Sequence, residues 1–183
     1  WDRFKCTLLL FPNKEAYVNF TSAPDWSGGI AQYGRFFLAA FEGSPGLEEK
    51  TLPHELSHLA LQMFMGSEAN IPLWLNEGLA KYEEGGPKHY LRLMKDNLGQ
   101  GRFYPLPVLF NMTQYPEDVP LFYAQSASII YYLKEKNISS LFTQFLEKIK
   151  KGTDINLALK EVYQRKFYKG AVDLEERWQK ELD

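Results

Sequence analysis

The stretch His54-Glu55-Leu56-Ser57-His58 decides how this chain is read. Residues four apart stand one above the other on a helix face, so imidazoles at 54 and 58 can reach a single cation. Glu55, one step round from His54, can approach the open side of that cation without ligating it and serve as a general base. A catalytic zinc ion takes three protein ligands and keeps one position for water. Glu77 follows His58 after eighteen intervening residues, inside Pro72-Leu73-Trp74-Leu75-Asn76-Glu77-Gly78-Leu79-Ala80, and offers the third ligand. With three His and one Cys the chain cannot readily build the closed four-ligand cage of a structural zinc site. The bland alternative is a helix with two surface His and a solvated Glu. It is outweighed because the motif sits in the structural context it needs.

On these residues the chain resembles the gluzincin metallopeptidases, the class of thermolysin and aminopeptidase N. His54, Glu55, His58 and Glu77 fit the ligand and base pattern, and Trp74-Leu75-Asn76-Glu77-Gly78 is very similar to the corresponding aminopeptidase sequence. Size and layout resemble most the compact bacterial peptidase MA-like domains. The similarity is specific from about residue 28 to 133 and generic elsewhere. It implies an α+β, zincin-like fold: a small N-terminal mixed sheet with an edge strand over the cleft, the H-E-x-x-H helix, and a mostly helical C-terminal half. It also implies a zinc-dependent peptidase that binds one zinc ion through His54, His58 and Glu77, uses Glu55 as base, and acts on a peptide or protein substrate.

Further site residues come from the same resemblance. Tyr123-Ala124-Gln125-Ser126-Ala127-Ser128-Ile129-Ile130 is similar to an aminopeptidase segment with a Tyr, a Lys-Gly pair and an apolar helix, in which the Tyr hydroxyl bonds the tetrahedral oxyanion. Tyr123 is expected in that role, with Gln125 and Ser126 replacing the Lys-Gly pair. Glu84 matches the place of a carboxylate that receives the second N–H of a ligating His. Asn76 is expected in the surrounding shell, holding the cleft loop through its amide. Gly28-Gly29-Ile30-Ala31-Gln32 lies where aminopeptidases of the class carry Gly-x-Met-Glu-Asn, whose Glu holds the substrate's free amine. Ala31 stands at that Glu and Gln32 at the Asn, which argues for an endopeptidase over an aminopeptidase. In the resembled fold this strand pairs with extended substrate by strand addition. A catalytically silent zinc-bearing binding or regulatory domain is the competing expectation, and the intact Glu55 speaks against it.

Composition bounds the rest. The 183 residues are 45% apolar and 24% charged, which suits one globular domain over 1–183, with a sheet part to about 66 and a helical part from about 67. A net charge of −2 without a basic cluster excludes a nucleic-acid or anionic-lipid binder. No run reaches eighteen apolar residues, so this domain makes no membrane contact of its own. The chain opens on Trp1 and reads as a piece of a longer protein. A signal or anchor for export or the cell envelope would lie in that remainder. Cys6 sits in an apolar run and is expected to be buried in a strand.

Local patterns then place the elements. Residues 4–11 read as a strand ended by Pro12, and 13–20 as a helix capped by Asn13. Residues 21–29 read as loop, and 30–41 as strand with a turn near Gly34. Leu52, Leu56, Leu59 and Met63 form the expected core stripe of the metal helix, with Gly66 as its stop. Pro53 is tolerated if the regular helix starts near Thr51, with 47–50 as a separate turn or one kinked at the proline. Further helices are expected at 73–84, 87–98 with His89 on its surface, 121–136, 138–150 capped by Asn137 or Ser139, 154–164 and 173–182. Residues 100–120 read as an aromatic loop, either one wall of the cleft or, as is more usual for such a segment, core packing.

Overall fold

A computed structural model describes residues 6–25, 27–32, 37–66, 68–84 and 86–182. The chain begins with β1 (Thr7–Phe11) and α1 (Lys14–Thr21), and Asn13 caps α1 by accepting the Ala16 N–H at 2.9 Å. β2 (Gly29–Gln32) and β3 (Phe37–Phe41) follow. The sheet order is β1-β3-β2, with β1 parallel and β2 antiparallel to β3, so the sheet is mixed, as expected. The turn expected near Gly34 and the start of the first strand at Phe4 lie outside the described residues. α1 covers one face of the sheet, where Tyr17, Ala23 and Ala39 are buried among Leu9, Phe11 and Phe41.

Cys6 is exposed rather than buried, immediately ahead of β1. β1 is an outer strand, and Leu8 and Leu10 on it are 46% and 47% exposed. The helix that covers the sheet's other face packs on β2 and β3. An apolar run marks a strand but does not say that both its faces are covered.

Leu47–Thr51 make a π-helical turn after Gly46, whose φ of +69° is a left-handed conformation suited to glycine. α2 (Leu52–Met65) runs on from it without a break, with Pro53 as its second residue. The expected core stripe is only partly right. Leu59 is buried, but Leu56 is 46% exposed and Leu52 and Met63 are half-buried. The covered face carries His58, Leu61, Gln62 and Met65. The cause is α3 (Leu73–Glu83), which packs on the histidine face and closes what the pattern treated as open cleft.

The remaining helices are α4 (Lys88–Gly99), α5 (Leu106–Phe110), α6 (Val119–Glu135), α7 (Ser139–Lys150), α8 (Ile155–Tyr163) and α9 (Ala171–Leu182). α6 runs through the middle, with Phe122, Ile129, Ile130 and Leu133 fully buried beside Trp74, Phe145 and Trp178. α3 reaches α6 closely because Gly78 has no side chain: a Cβ there would stand 2.8 Å from the Ser126 carbonyl oxygen. Residues 100–120 are not all loop, since α5 buries Leu106, Leu109 and Phe110 in the core. Gln125 ties this segment to α6, accepting the Tyr104 N–H at 2.8 Å and donating to the Tyr104 carbonyl at 2.6 Å. The N-cap residue of α7 is Ile138, which makes no side-chain cap. Asn137 instead donates to the Tyr132 carbonyl at 2.8 Å, while Asp154 caps α8 as its position suggests. The chain is therefore α+β, with a three-stranded sheet and mostly helical content.

Candidate metal centre

α2 and α3 lie side by side and turn their polar residues toward each other. α2 supplies His54, Glu55 and His58, and α3 supplies Asn76, Glu77 and Lys81, with Glu84 at its C-cap. His54 Nε2 and His58 Nε2 are 3.1 Å apart. Glu77 Oε2 lies 3.9 Å from His54 Nε2, and Glu77 Oε1 lies 3.8 Å from His58 Nε2. One ligand atom from each of the three residues falls within 4.8 Å of the others.

The neighbours of the imidazoles favour hydrogen on the two Nδ1 atoms. His58 Nδ1 lies 2.9 Å from the Asn76 Oδ1 acceptor. His54 Nδ1 lies 3.3 Å from Glu84 Oε2; it is buried and forms no well-aligned hydrogen bond, but a carboxylate is its nearest partner. With hydrogen on both Nδ1 atoms, the two Nε2 atoms, 3.1 Å apart, each present a lone pair to the same region. Two such lone pairs repel unless a cation takes up both. Two nitrogens bound to a tetrahedral zinc at 2.0–2.1 Å would stand about 3.3 Å apart. The side chains present thus fit a metal ion by spacing and by chemistry.

Burial shapes the charges around them. Burial depresses the His58 pKa, against the raising pull of Glu77, which favours the neutral form a ligand needs. Burial is the largest single effect on Glu84 and opposes its ionisation, but His54 and Lys81 together outweigh it and hold the pKa down at about 2. Lys81 Nζ pairs with Glu84 Oε2 at 2.6 Å and lies 4.8 Å from the centre of the Tyr123 ring. Burial raises the Glu55 pKa, with the nearby His54 as the main opposing influence.

Glu55 opens onto a cavity of about 400 Å³ whose lining includes Gly28, Gly29, His54, Lys81, Glu84 and Tyr123. Gly29 lets β2 pass close to the metal helix, since a Cβ there would meet Thr51 Cγ2 at 2.6 Å and Glu55 Cγ at 3.4 Å. β2 is the outer strand on this side of the sheet. Burial raises the Tyr123 pKa and the Glu77 charge adds to it, so the phenol stays protonated and able to donate.

The structure brings together every residue named for the site from the sequence: His54, Glu55, His58, Asn76, Glu77, Glu84 and Tyr123. Asn76 faces His58 instead of holding a cleft loop. His89 is exposed on α4 against Tyr90, outside the centre. Two residues were missed. Lys81 stands one helical turn after Glu77, a spacing that puts it on the same face. Tyr115 donates to Glu77 Oε1 at 2.8 Å from the segment between α5 and α6, where no periodicity marks it.

A helix pair with this donor set, beside a small mixed sheet, has the layout of a metallopeptidase-like fold. The chain belongs to the peptidase MA superfamily, whose family profile it matches over residues 14–183. No curated protein matches the chain.

Proposed function

We propose that this chain is a zinc-dependent peptidase of the gluzincin type, cutting peptide bonds within chains. The observation that carries the proposal is the pair of Nε2 atoms 3.1 Å apart, with the Glu77 carboxylate oxygens within 3.9 Å of them. His54, His58 and Glu77 would hold the ion, and a two-His, one-carboxylate set suits a catalytic zinc with a free position. When bound, zinc would lower the pKa of water at that position toward ~7 and polarise the scissile carbonyl.

The protein's own groups do the remaining chemistry. Glu55 takes one proton from the attacking water as its oxygen bonds to the carbonyl carbon. The raised pKa of Glu55 makes it a stronger base than an exposed glutamate. Tyr123, on the cavity wall with Glu55, donates to the developing oxyanion. The C–N bond then breaks, and Glu55 returns the proton to the leaving amine. Asn76 and Glu84 keep the two imidazoles in the ligating tautomer.

The edge of β2 offers extended substrate a row of backbone groups. Ala31 on that strand carries no carboxylate for a free α-amine, which favours internal cleavage. The test is peptide hydrolysis by the zinc-loaded protein beside a zinc-loaded Glu55→Gln variant, with end-blocked and free-amine substrates. Cleavage of blocked peptides by the wild type alone is expected. Equal turnover by both proteins ends the peptidase claim.

A further inference from the structure

We infer that Tyr115 is a positioning residue for the third metal ligand: its hydroxyl holds Glu77 so that one carboxylate oxygen alone faces the ion. The inference rests on the metal-binding role proposed above. Glu77 presents its two oxygens almost evenly, Oε1 at 3.8 Å from His58 Nε2 and Oε2 at 3.9 Å from His54 Nε2. Left to itself, such a carboxylate can chelate with both. Tyr115 Oη donates to Oε1 at 2.8 Å, and an oxygen already holding a charge-assisted hydrogen bond competes less well for a cation. Oε2 then remains as the ligand atom, and the position that both oxygens would otherwise fill stays open for water.

The placement of Tyr115 is not that of a core residue. Its side chain is 50% exposed, yet its only polar side-chain atom points inward at a carboxylate that is 6% exposed. Phe122 and Tyr123 hold the ring edge-on, with centroids 5.9 and 6.1 Å away. The contact joins Glu77 on α3 to a segment 38 residues later in the chain. Two aromatic neighbours on α6 thus flank the hydroxyl that donates to Oε1, and the Tyr123 hydroxyl is also a hydrogen-bond partner of it.

The test uses the full chain with Tyr115→Phe, which keeps the ring contacts, and Tyr115→Leu, which keeps apolar volume. Zinc affinity is measured by competition with a chromophoric chelator, and the visible spectrum is recorded after cobalt(II) replaces zinc. Both variants are expected to keep at least wild-type zinc affinity, because the freed Oε1 adds a second bond to the ion. Their cobalt absorption is expected to weaken as a second Glu77 oxygen enters and the site departs from four-coordinate geometry. A Tyr115→Phe protein with a wild-type cobalt spectrum overturns the inference and leaves the peptidase proposal standing. A wild-type protein that binds no zinc overturns both.

Discussion

Replacing Glu55 by Gln keeps the size and shape of the side chain and removes its basicity. The amide cannot accept a proton from water, so kcat is expected to fall by about 10²–10⁴ while zinc content stays at wild-type level. Metal analysis beside a peptide assay checks both halves, and loss of zinc in the variant would mean that Glu55 holds the metal site together instead. Asn76 makes a different contribution. Without its amide, His58 Nδ1 has no acceptor and the ring can adopt the wrong tautomer. Asn76→Ala is expected to weaken zinc binding by about 10–100-fold in the same chelator competition, and an unchanged affinity would remove Asn76 from the site. At this scale His54, Glu55, His58 and Glu77 were legible because helical spacing and ligand chemistry constrain each other. Lys81 was also within reach, one turn after Glu77, but a lysine on a helix usually reads as solvated. Tyr115 was not, since its role depends on where a loop folds back, and residue order carries no such information.

α3 is the element that turns a pair of histidines into a three-ligand centre. It presents Asn76, Glu77 and Lys81 to α2 and lays Gly78 against the α6 backbone. The sequence predicts the helix and that its Glu77 meets the histidines, but not how much of the histidine side of α2 the contact would cover. That is why Leu56, expected in the core, is exposed while Gln62 is covered. Periodicity locates a stripe; the neighbour decides which stripe is inside. Gly78→Ala tests the packing. The new methyl group would meet Ser126 O at 2.8 Å and Ser126 C at 2.9 Å, both backbone atoms that cannot turn aside. α3 would have to move outward, at a cost of about 1–3 kcal/mol, which denaturant unfolding of the metal-free protein can read. Because Glu77 precedes Gly78, zinc affinity should fall with stability. A variant as stable as the wild type would show that α3 and α6 have room to spare.

Across the whole molecule, α2 connects two regions with separate apolar cores. It packs on β2 and β3, while Leu61 and Met65 belong to the helical core with Trp74, Phe122 and Trp178. The buried face between α2 and α3 is polar, with His58, Glu77 and Asn76 where apolar side chains would otherwise pack. With both Nε2 atoms unprotonated and no cation, their lone pairs repel beside the buried Glu77 carboxylate, which makes the junction a destabilising centre in the metal-free protein. Zinc that binds only the folded chain adds RT ln(1 + [Zn]/Kd), about 2.7 kcal/mol at one hundred times Kd. For a domain of this size, 1 kcal/mol moves Tm by about 2–4 °C, so the gain should be about 5–10 °C. Calorimetry with chelator and then with zinc reads it directly. Glu77→Ala removes one ligand and the buried charge together, so the metal-free variant should melt no lower than metal-free wild type and should gain little from zinc. If zinc raised both proteins equally, the ion would be binding elsewhere, and the junction between α2 and α3 would be a polar packing surface without a metal.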